Sequence, residues 1–220
     1  MMAHFAHHPP DLAVFALLAN VVVSSGDPDL LLALLKYGGV VVLGLVLMIV
    51  FYSVVVSVFT RYNPYSFLSR ISPAQLLAFS TSSSAATLPV TMERVEEHIG
   101  VDKEVSSFVL PVGATINMDG TSLYQGVAAV SISQALGFEL SLAGQLTIIL
   151  TALLASIGSA AVPGAGMVML VIVLESINFP SDKLAIGLAL IFAVDRPLDM
   201  LRTVVNVTGD ATVSMLVAKS

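Results

Sequence analysis

Residues 156–166 read SIGSAAVPGAG, and these small residues interrupt an apolar stretch, 140–174, that contains no charged side chain. A second apolar stretch, 71–91, is broken in the same way by STSSSAATLP at positions 80–89. A broken backbone leaves N–H and C=O groups unpaired, and hydrocarbon offers them no partner, so such breaks occur only inside protein or beside water. The two stretches therefore predict two re-entrant helical hairpins whose tips meet inside a membrane. The alternative interpretation is that the small residues form close contacts between helices.

The composition of the whole chain favours a membrane protein. Of its 220 residues, 56% are hydrophobic and 11% are charged, and the mean hydropathy is +0.94. An average soluble chain carries about a quarter charged residues. The net charge of −6 gives no basic surface for nucleic acid, and the absence of cysteine excludes disulfides and cysteine metal sites. We expect a multi-pass protein of the plasma (inner) membrane that contacts the lipid bilayer and no nucleic acid.

Hydropathy divides the chain into segments. Residues 1–25 are predicted to hold the end of a truncated scaffold span, because the apolar run 12–23 is too short to cross about 30 Å of hydrocarbon. No cleaved leader is expected, since the N-terminus lacks a positively charged region. Loops are expected at 61–70, with a turn at Asn63–Pro64, and at 92–104. The remaining chain, 26–220, is predicted to contain a span at 30–60, a hairpin at 71–91, a span at 105–135, a hairpin at 140–174 and a span at 184–218.

Each half of the predicted domain repeats one pattern, a broken apolar stretch followed by a span with an Asn and an Asp at its centre. SSSAATLP (82–89) precedes TINMDG (115–120), and GSAAVPGAG (158–166) precedes VVNVTGD (204–210). Repeats with paired, interrupted segments are typical of secondary-transporter sites. An odd number of membrane crossings between the halves would invert the second one. The pattern predicts an all-α integral membrane fold that contains an inverted repeat.

A polar stripe runs along the last predicted span. The guanidinium of Arg202 suits a carboxylate bound through both oxygens, and Asp199 could accept hydrogen bonds from an ammonium group. The alternative is that Asp199 and Arg202, at positions i and i+3, pair with each other. A charge at mid-bilayer costs about 2.5 kcal/mol or more, so the stripe is expected to face partners, ions or a substrate. Five side chains at spacings of 4, 3, 4 and 4 residues form it, within roughly an 80° sector of a helix: Asp195, Asp199, Arg202, Asn206 and Asp210.

The polar groups at mid-membrane depth are rich in oxygen, which hard cations such as Na⁺ prefer. An intramembrane aspartyl protease could in principle use Asp119 and another aspartate as a proton-sharing dyad. The neighbouring Asn and Gly residues and the charge of Arg202 argue against that dyad. A serine hydrolase would need a base beside the serines at 82–84, and the spans contain no His or Lys at that depth. We therefore expect a transporter and no catalytic residues.

At these residues the sequence resembles the dicarboxylate/amino acid:cation symporter family, which includes sodium-coupled glutamate and aspartate transporters. The resemblance implies symport of an acidic amino acid, aspartate or glutamate, driven by sodium ions. It also implies an elevator-like transport domain, gated by the hairpins, that moves against a homotrimeric scaffold. A C4-dicarboxylate:cation symporter is the alternative. The matching segments, which cover nearly everything from 61 to 218, are SSSAATLPVT, GATINMDGTSLYQG, ASIGSAAVPGAG and DMLRTVVNVTGD.

The resemblance also implies binding residues. Arg202 would hold the side-chain carboxylate of the substrate, and Asp199 would hold its amino group. The implied substrate-binding residues are Ser84, Thr121, Val162, Gly166, Asp199, Arg202 and Asn206. One implied sodium site uses Gly113, Asn117, Asn206 and Asp210, and a second uses Thr115, Ser156, Ile157 and Ser159. A third uses Asn117 and Asp119, completed by an earlier span.

The sequence departs from the family pattern in several places. It resembles the C-terminal half of a transporter with most scaffold helices absent, so it could be a fragment that is inactive alone. Some archaeal relatives place an Arg in the first hairpin tip, where this chain has Ser82, and we expect Arg196 to supply a similar charge. Gln125 stands where animal glutamate transporters carry a Glu linked to proton coupling, so proton coupling through that position is not expected. Ala86 and Ala161 replace glycines of some relatives, which would stiffen the gates.

Overall fold

The computed structural model describes residues 28–220, and every regular element in that range is helical. The predicted truncated span at 1–25, with its apolar run 12–23, lies outside the described residues. π-Helical turns extend the first and third helices at Val56–Thr60 and Arg94–Ile99. The α-helices are α1 (Pro28–Val55), α2 (Pro64–Thr81), α3 (Ser84–Glu93), α4 (Lys103–Ile116), α5 (Asp119–Ala135), α6 (Leu142–Ile157), α7 (Ala165–Ser176) and α8 (Ser181–Val217).

Helix α1 and its π-helical turn form the most apolar part of the described chain. Within residues 28–220, the stretch Leu32–Thr60 is the helix that is long and apolar enough to cross a membrane, judged by length and composition. Helices α6 and α7 are apolar but shorter. One side of α1 packs against the protein, and its opposite side exposes leucine and valine side chains such as Leu43 and Leu47. The buried hydrophobic side chains of α1 and the start of its π-helical turn recur three, four or seven residues apart: Leu34, Tyr37, Val41, Leu45, Tyr52 and Val56.

The first broken stretch forms a pair of packed helices, α2 and α3. Helix α2 ends at Thr81, and the next residue, Ser82, adopts left-handed backbone angles with φ of +52°. Ser83 caps the start of α3, because its hydroxyl accepts a hydrogen bond from the backbone N–H of Ala86 at 3.1 Å. The turn between the helices is therefore only two residues long.

The predicted loops on either side of this pair are largely helical, which corrects the sequence analysis. Asn63 and Pro64 start a helix: the Asn63 side chain accepts hydrogen bonds from two backbone N–H groups, and Pro64 occupies the first helical turn. Both features favour helix initiation, so most of 61–70 belongs to α2. Most of the predicted loop 92–104 is helical too, because the helix begun by α3 continues as far as Ile99. That helix is terminated by Gly100, whose φ is +89°.

The second broken stretch also forms a packed pair, α6 and α7. Ser141 caps α6, because its hydroxyl accepts a hydrogen bond from the backbone N–H of Gly144 at 3.1 Å. The connection between the helices is longer than in the first pair, and it ends at Gly164 with φ of +78°. A left-handed residue at this point favours glycine, which has no Cβ to clash with the backbone.

The predicted span 105–135 is two helices, α4 and α5, that separate at Asn117 and Met118. A span at 105–135 was predicted without this break, and its path through a membrane stays a prediction. Side chains of other residues satisfy polar groups at the break: Asn206 accepts from the backbone N–H of Gly120 at 2.8 Å. Protein groups thus replace the hydrogen bonds that a continuous helix would make.

Helix α8 lies at the centre of the described structure. It packs against α1, α2, α4 and α5, and it also contacts α3 and α7. Its buried face is polar as well as apolar, because Asp195, Asp199, Arg202, Asn206 and Asp210 are all at most 6% exposed. All five residues of the predicted polar stripe are therefore inside the protein.

Candidate functional site

The turns of the two helix pairs meet beside α8. The Ser83 hydroxyl of the first pair donates a hydrogen bond to the backbone carbonyl of Ala161 in the second pair at 2.6 Å. Arg196 of α8 donates from Nη1 to the Ser82 hydroxyl at 2.9 Å. The turns are thus joined to each other directly, and the first is also joined to α8. Arg196 reaches the first turn, as the sequence analysis expected of its charge.

Asp199 connects the second turn to α8. Its Oδ2 accepts a hydrogen bond from the backbone N–H of Gly164 at 3.0 Å and lies 3.6 Å from Arg196 Nη1. Its Oδ1 lies 2.7 Å from Arg202 Nη2 and accepts a hydrogen bond from Arg202 Nε at 2.9 Å. The pairing of Asp199 with Arg202, which the sequence left open, is present.

Arg202 is held on several sides. Its Nη1 donates to Asp195 Oδ1 at 3.0 Å, and its guanidinium carbon lies 4.0 Å from the centre of the Tyr124 ring. Only 1% of Arg202 is exposed. A buried guanidinium needs partners of opposite charge, and an aromatic face adds a favourable cation–π contact. Together with Arg196 and Asp199, these side chains form a cluster, here called the α8 charge cluster, whose formal charges sum to zero.

A small cavity lies between the two turns and α8. Its volume is about 20 Å³, which is room for roughly one water molecule. Arg202 lies directly behind its wall, because a Cβ built on Gly166 would stand 3.1 Å from Arg202 Cζ. Met118 and Thr203, which the sequence analysis did not assign to substrate binding, also line the cavity. Six of the seven predicted substrate-binding residues line it: Ser84, Thr121, Val162, Gly166, Asp199 and Asn206.

A second polar cluster lies where α4 and α5 separate. Asn117 donates from Nδ2 to Asp210 Oδ1 at 2.9 Å. Helix α4 approaches α8 closely at Gly113, where a Cβ would stand only 2.6 Å from Asp210 Oδ1. Asn206 lies one helical turn before Asp210, and its Nδ2 donates to Thr121 at 3.2 Å. The structure therefore brings together the residues predicted for the first sodium site.

Asp119, predicted for the third sodium site, contacts a residue that the sequence analysis missed. The hydroxyl of Tyr52, on α1, donates a hydrogen bond to Asp119 Oδ2. Asn117 lies two residues earlier, at the break between α4 and α5. Helix α1 contains two tyrosines, Tyr37 and Tyr52, and nothing in the sequence distinguished the one that contacts Asp119.

Among the described residues predicted for the second sodium site, the backbone N–H of Ser159 donates to the Ser156 carbonyl at 3.1 Å, but no hydrogen bond joins Thr115 to them. Thr115 is exposed, and its hydroxyl donates to the backbone carbonyl of Val112 within α4. The Ser156 hydroxyl likewise bonds within its own helix, and Ile157 is 41% exposed. Ser159 is buried, and its hydroxyl has no hydrogen-bond partner in residues 28–220.

Asp119 and Asp210, the two carboxylates near the break between α4 and α5, form no ion pair with a described residue. In the described part of the chain, every ion pair involves Arg196 or Arg202, and none reaches Asp119 or Asp210. Asp210 is only 3% exposed. A buried carboxylate without a cationic partner is costly. The groups that donate hydrogen bonds to these two carboxylates, the Asn117 amide and the Tyr52 hydroxyl, are neutral. Such a cluster suits a hard cation that takes oxygen ligands.

A sequence model of the sodium:dicarboxylate symporter family matches residues 10–220. The chain belongs to the sodium:dicarboxylate symporter family. The resemblance predicted from the sequence is thereby confirmed. The description of the family denotes transporters and not enzymes, which is the class that the sequence predicted.

Relatives of this chain carry the name excitatory amino acid transporter. Excitatory amino acid transporter 1 of Bos taurus is 45% identical over 202 residues, which are 91% of this chain and 36% of that protein. The Homo sapiens protein of the same name is 53% identical over 152 residues, which are 69% of this chain and 27% of that protein. A Caenorhabditis elegans excitatory amino acid transporter is 51% identical over 152 residues, 69% of this chain and 29% of that protein. The chain thus spans about a third of the length of these relatives.

Proposed function

We propose that the chain carries the substrate site of a sodium-coupled symporter for an acidic amino acid, aspartate or glutamate. The observation that carries this proposal is that six of the seven substrate-binding residues implied by the family line one cavity, with Arg202 directly behind it. Relatives named excitatory amino acid transporters support this substrate class.

The proposed architecture is a transport domain in the plasma membrane. Helix pairs α2–α3 and α6–α7 would be re-entrant hairpins that enter from opposite sides and act as gates. Each pair is followed by a helical segment with a central Asn and Asp, α4–α5 after the first and α8 after the second. This order supports an inverted repeat. The domain would move like an elevator against a homotrimeric scaffold supplied by the rest of the transporter.

Substrate binding would proceed by exchange of partners inside the α8 charge cluster. Arg202 would present its guanidinium to the side-chain carboxylate of the substrate, while Asp199 would accept hydrogen bonds from the substrate amino group. Asp199 now binds Arg202 and the backbone N–H of Gly164. A cavity of about 20 Å³ cannot hold an amino acid, so the second turn would have to move away from Asp199 to admit it.

Charge favours an amino acid over a C4-dicarboxylate. The α8 charge cluster is neutral before any substrate enters, so an acidic amino acid adds one net negative charge and a dicarboxylate adds two. Asp199 would also be left without a hydrogen donor beside a dicarboxylate, and an unpaired buried carboxylate is unfavourable. The C4-dicarboxylate remains the second candidate because the family is named for sodium:dicarboxylate symport.

Sodium ions would be cargo that neutralises the second polar cluster. Asp210, with Asn117, Asn206 and the backbone at Gly113, would bind one ion through oxygen ligands. Asp119 would bind another. Because binding at these carboxylates removes uncompensated negative charge next to the substrate cavity, cations and an anionic substrate would favour each other's binding.

Calorimetry on the detergent-solubilised 220-residue chain tests the proposal. L-Aspartate, L-glutamate and succinate would be titrated in sodium chloride and then in choline chloride. Sodium-dependent binding of aspartate that disappears in Arg202→Ala, but persists in Arg70→Ala at the exposed end of α2, would support the proposal. Absence of binding in a folded chain would mean that this chain does not hold the site by itself. Binding of succinate without aspartate would overturn the role of Asp199.

A further inference from the structure

We infer that Tyr52 of α1 is a positioning residue of the cation site, where its phenol holds one oxygen of Asp119 so that the other faces the ion. This inference rests on the proposed function and deepens it by adding a residue from a helix to which no ion-binding role was assigned. Tyr52 acts through Asp119 and is not itself proposed as a ligand.

The contact is buried and joins distant parts of the chain. Tyr52 is 5% exposed, although α1 exposes most of its other face. Its hydroxyl donates to Asp119 Oδ2, across 67 residues of sequence. Since Oδ2 is engaged, Oδ1 is the oxygen of Asp119 that remains for a cation. A hydrogen bond from a neutral donor fixes the orientation of a carboxylate without cancelling its charge.

The backbone of α8 is shaped to admit the phenol. A Cβ built on Gly209 would stand 2.8 Å from the Tyr52 hydroxyl oxygen and 2.7 Å from Asn117 Nδ2. Both distances are too short for a real methyl group, so the absence of a side chain lets these two polar groups approach α8 together. Gly209 immediately precedes Asp210. The phenol thus reaches the point where Asn117, Asp119 and Asp210 converge.

Tyr37, another tyrosine of α1, provides a matched control for Tyr52. Tyr37 lies 15 residues before Tyr52 on the same buried face of α1 and is 4% exposed. In the described part of the chain its hydroxyl has no hydrogen-bond partner. Replacement of either tyrosine by phenylalanine removes one buried hydroxyl from the same helix, but only the change at position 52 removes a bond to Asp119.

The test is a sodium titration of the purified 220-residue chain in detergent, with choline chloride keeping the ionic strength constant. The chain has five tyrosines and no tryptophan, so near-ultraviolet difference absorption reports on tyrosine environments. Loss of outer-sphere hydrogen bonds typically weakens metal binding 10–100-fold. Because Tyr52→Phe removes a reporting tyrosine, the sodium affinity itself is measured by calorimetry. We expect Tyr52→Phe to raise the sodium dissociation constant about tenfold, and Tyr37→Phe to leave it within about twofold.

A spectroscopic signature separates positioning from general destabilisation. The sodium-induced tyrosine difference signal should be present in the wild type and in Tyr37→Phe, and it should be lost in Tyr52→Phe. Asp119→Asn should also remove that signal while all tyrosines remain, which keeps the inference testable if Tyr52→Phe does not fold. Thermal unfolding in choline alone would verify that the compared variants are folded.

The outcomes distinguish this inference from the proposed function. If the wild-type chain shows no sodium response, the proposed sodium site is overturned in this chain, and the role of Tyr52 with it. If the wild type responds but Tyr52→Phe binds sodium as Tyr37→Phe does, or more tightly, only the role of Tyr52 is overturned. A tyrosine signal that persists in Asp119→Asn also overturns it.

Discussion

Arg202 and Asp199 are bound to each other one helical turn apart, with Arg202 Nη2 2.7 Å from Asp199 Oδ1. These are the two residues proposed to bind opposite ends of an amino acid. Because Arg202 and Asp199 now neutralise each other, a bound substrate would replace their ion pair. It would not supply partners to two charges that lacked them. The net gain from the new contacts is therefore small, and the preference among anions depends on the total charge of the cluster.

That dependence on charge gives the first prediction. Asp195→Asn removes one carboxylate from the α8 charge cluster, so its net charge becomes +1. A unit charge about 8 Å away contributes roughly 2 kcal/mol at an effective dielectric constant of about 20. We expect the ratio of succinate affinity to aspartate affinity to rise at least about tenfold, measured by calorimetry. Glu139→Gln, an equal charge change at an exposed position, should leave the ratio unchanged. An equal ratio in both variants would contradict the prediction.

The second prediction concerns Arg196, whose side chain is 38% exposed. Its ion pair with Asp199 spans 3.6 Å, and exposed pairs of this kind contribute about 0–1 kcal/mol. Arg196→Ala also changes the net charge of the α8 charge cluster, but water screens this partly exposed charge, so aspartate binding should weaken less than about tenfold, whereas Arg202→Ala should abolish it. Binding titrations of both variants provide the check. A complete loss of binding in Arg196→Ala would show that its contact with Ser82 is essential to the site.

The third prediction concerns the bond between the two turns. Ser83→Ala removes a helix cap, worth about 1 kcal/mol, and also the hydrogen bond to Ala161, worth about 1 kcal/mol more. Ser141→Ala removes only the cap of α6. Reversible unfolding in detergent should therefore show a free-energy loss roughly 1 kcal/mol larger for Ser83→Ala. Equal losses would mean that the bond between the turns adds no stability.

The fourth prediction compares two glycines of α5. A Cβ at Gly120 would stand 2.5 Å from the backbone carbonyl oxygen of Arg202, which cannot swing aside, whereas a Cβ at Gly126 would meet no atom within 4 Å. Gly120→Ala should destabilise the chain by about 1–3 kcal/mol, through overpacking at the binding residues. Gly126→Ala should be neutral or stabilising by up to about 1 kcal/mol. Unfolding midpoints measured side by side decide the matter, and equal midpoints would refute the close packing of α5 on α8.

The sequence allowed the helix pairs and the polar stripe to be predicted, because small-residue interruptions and helical spacing are local signals. Local signals did not reveal the break at Asn117 and Met118. The polar residues TINMDG at 115–120 were interpreted as part of one continuous span, and the break is stabilised by the side chain of Asn206, far along the chain. Asn63 and Pro64 were interpreted as a turn, although the same pair favours a helix start.

The contact of Tyr52 with Asp119 could not be predicted from spacing, because it depends on how α1 packs beside α5. The family resemblance led to most of the cavity-lining residues, yet it did not reveal that Arg202 is shared between Asp195 and Asp199. Pairings between side chains depend on rotamers and distances, which a linear pattern does not encode.

The neutrality of the α8 charge cluster has a consequence for voltage. A membrane potential does work of about 2.3 kcal/mol per elementary charge per 100 mV, and it acts only on net charge. In the proposed cycle, the empty domain carries two uncompensated carboxylates, Asp119 and Asp210, while in the loaded domain bound cations cancel them and the substrate adds one net negative charge. A negative cell interior would then drive the empty site toward the outside, where sodium and substrate are collected, and would oppose inward movement of the loaded site about half as strongly. The two carboxylates, and not the arginines, would thus determine how the resting voltage favours uptake.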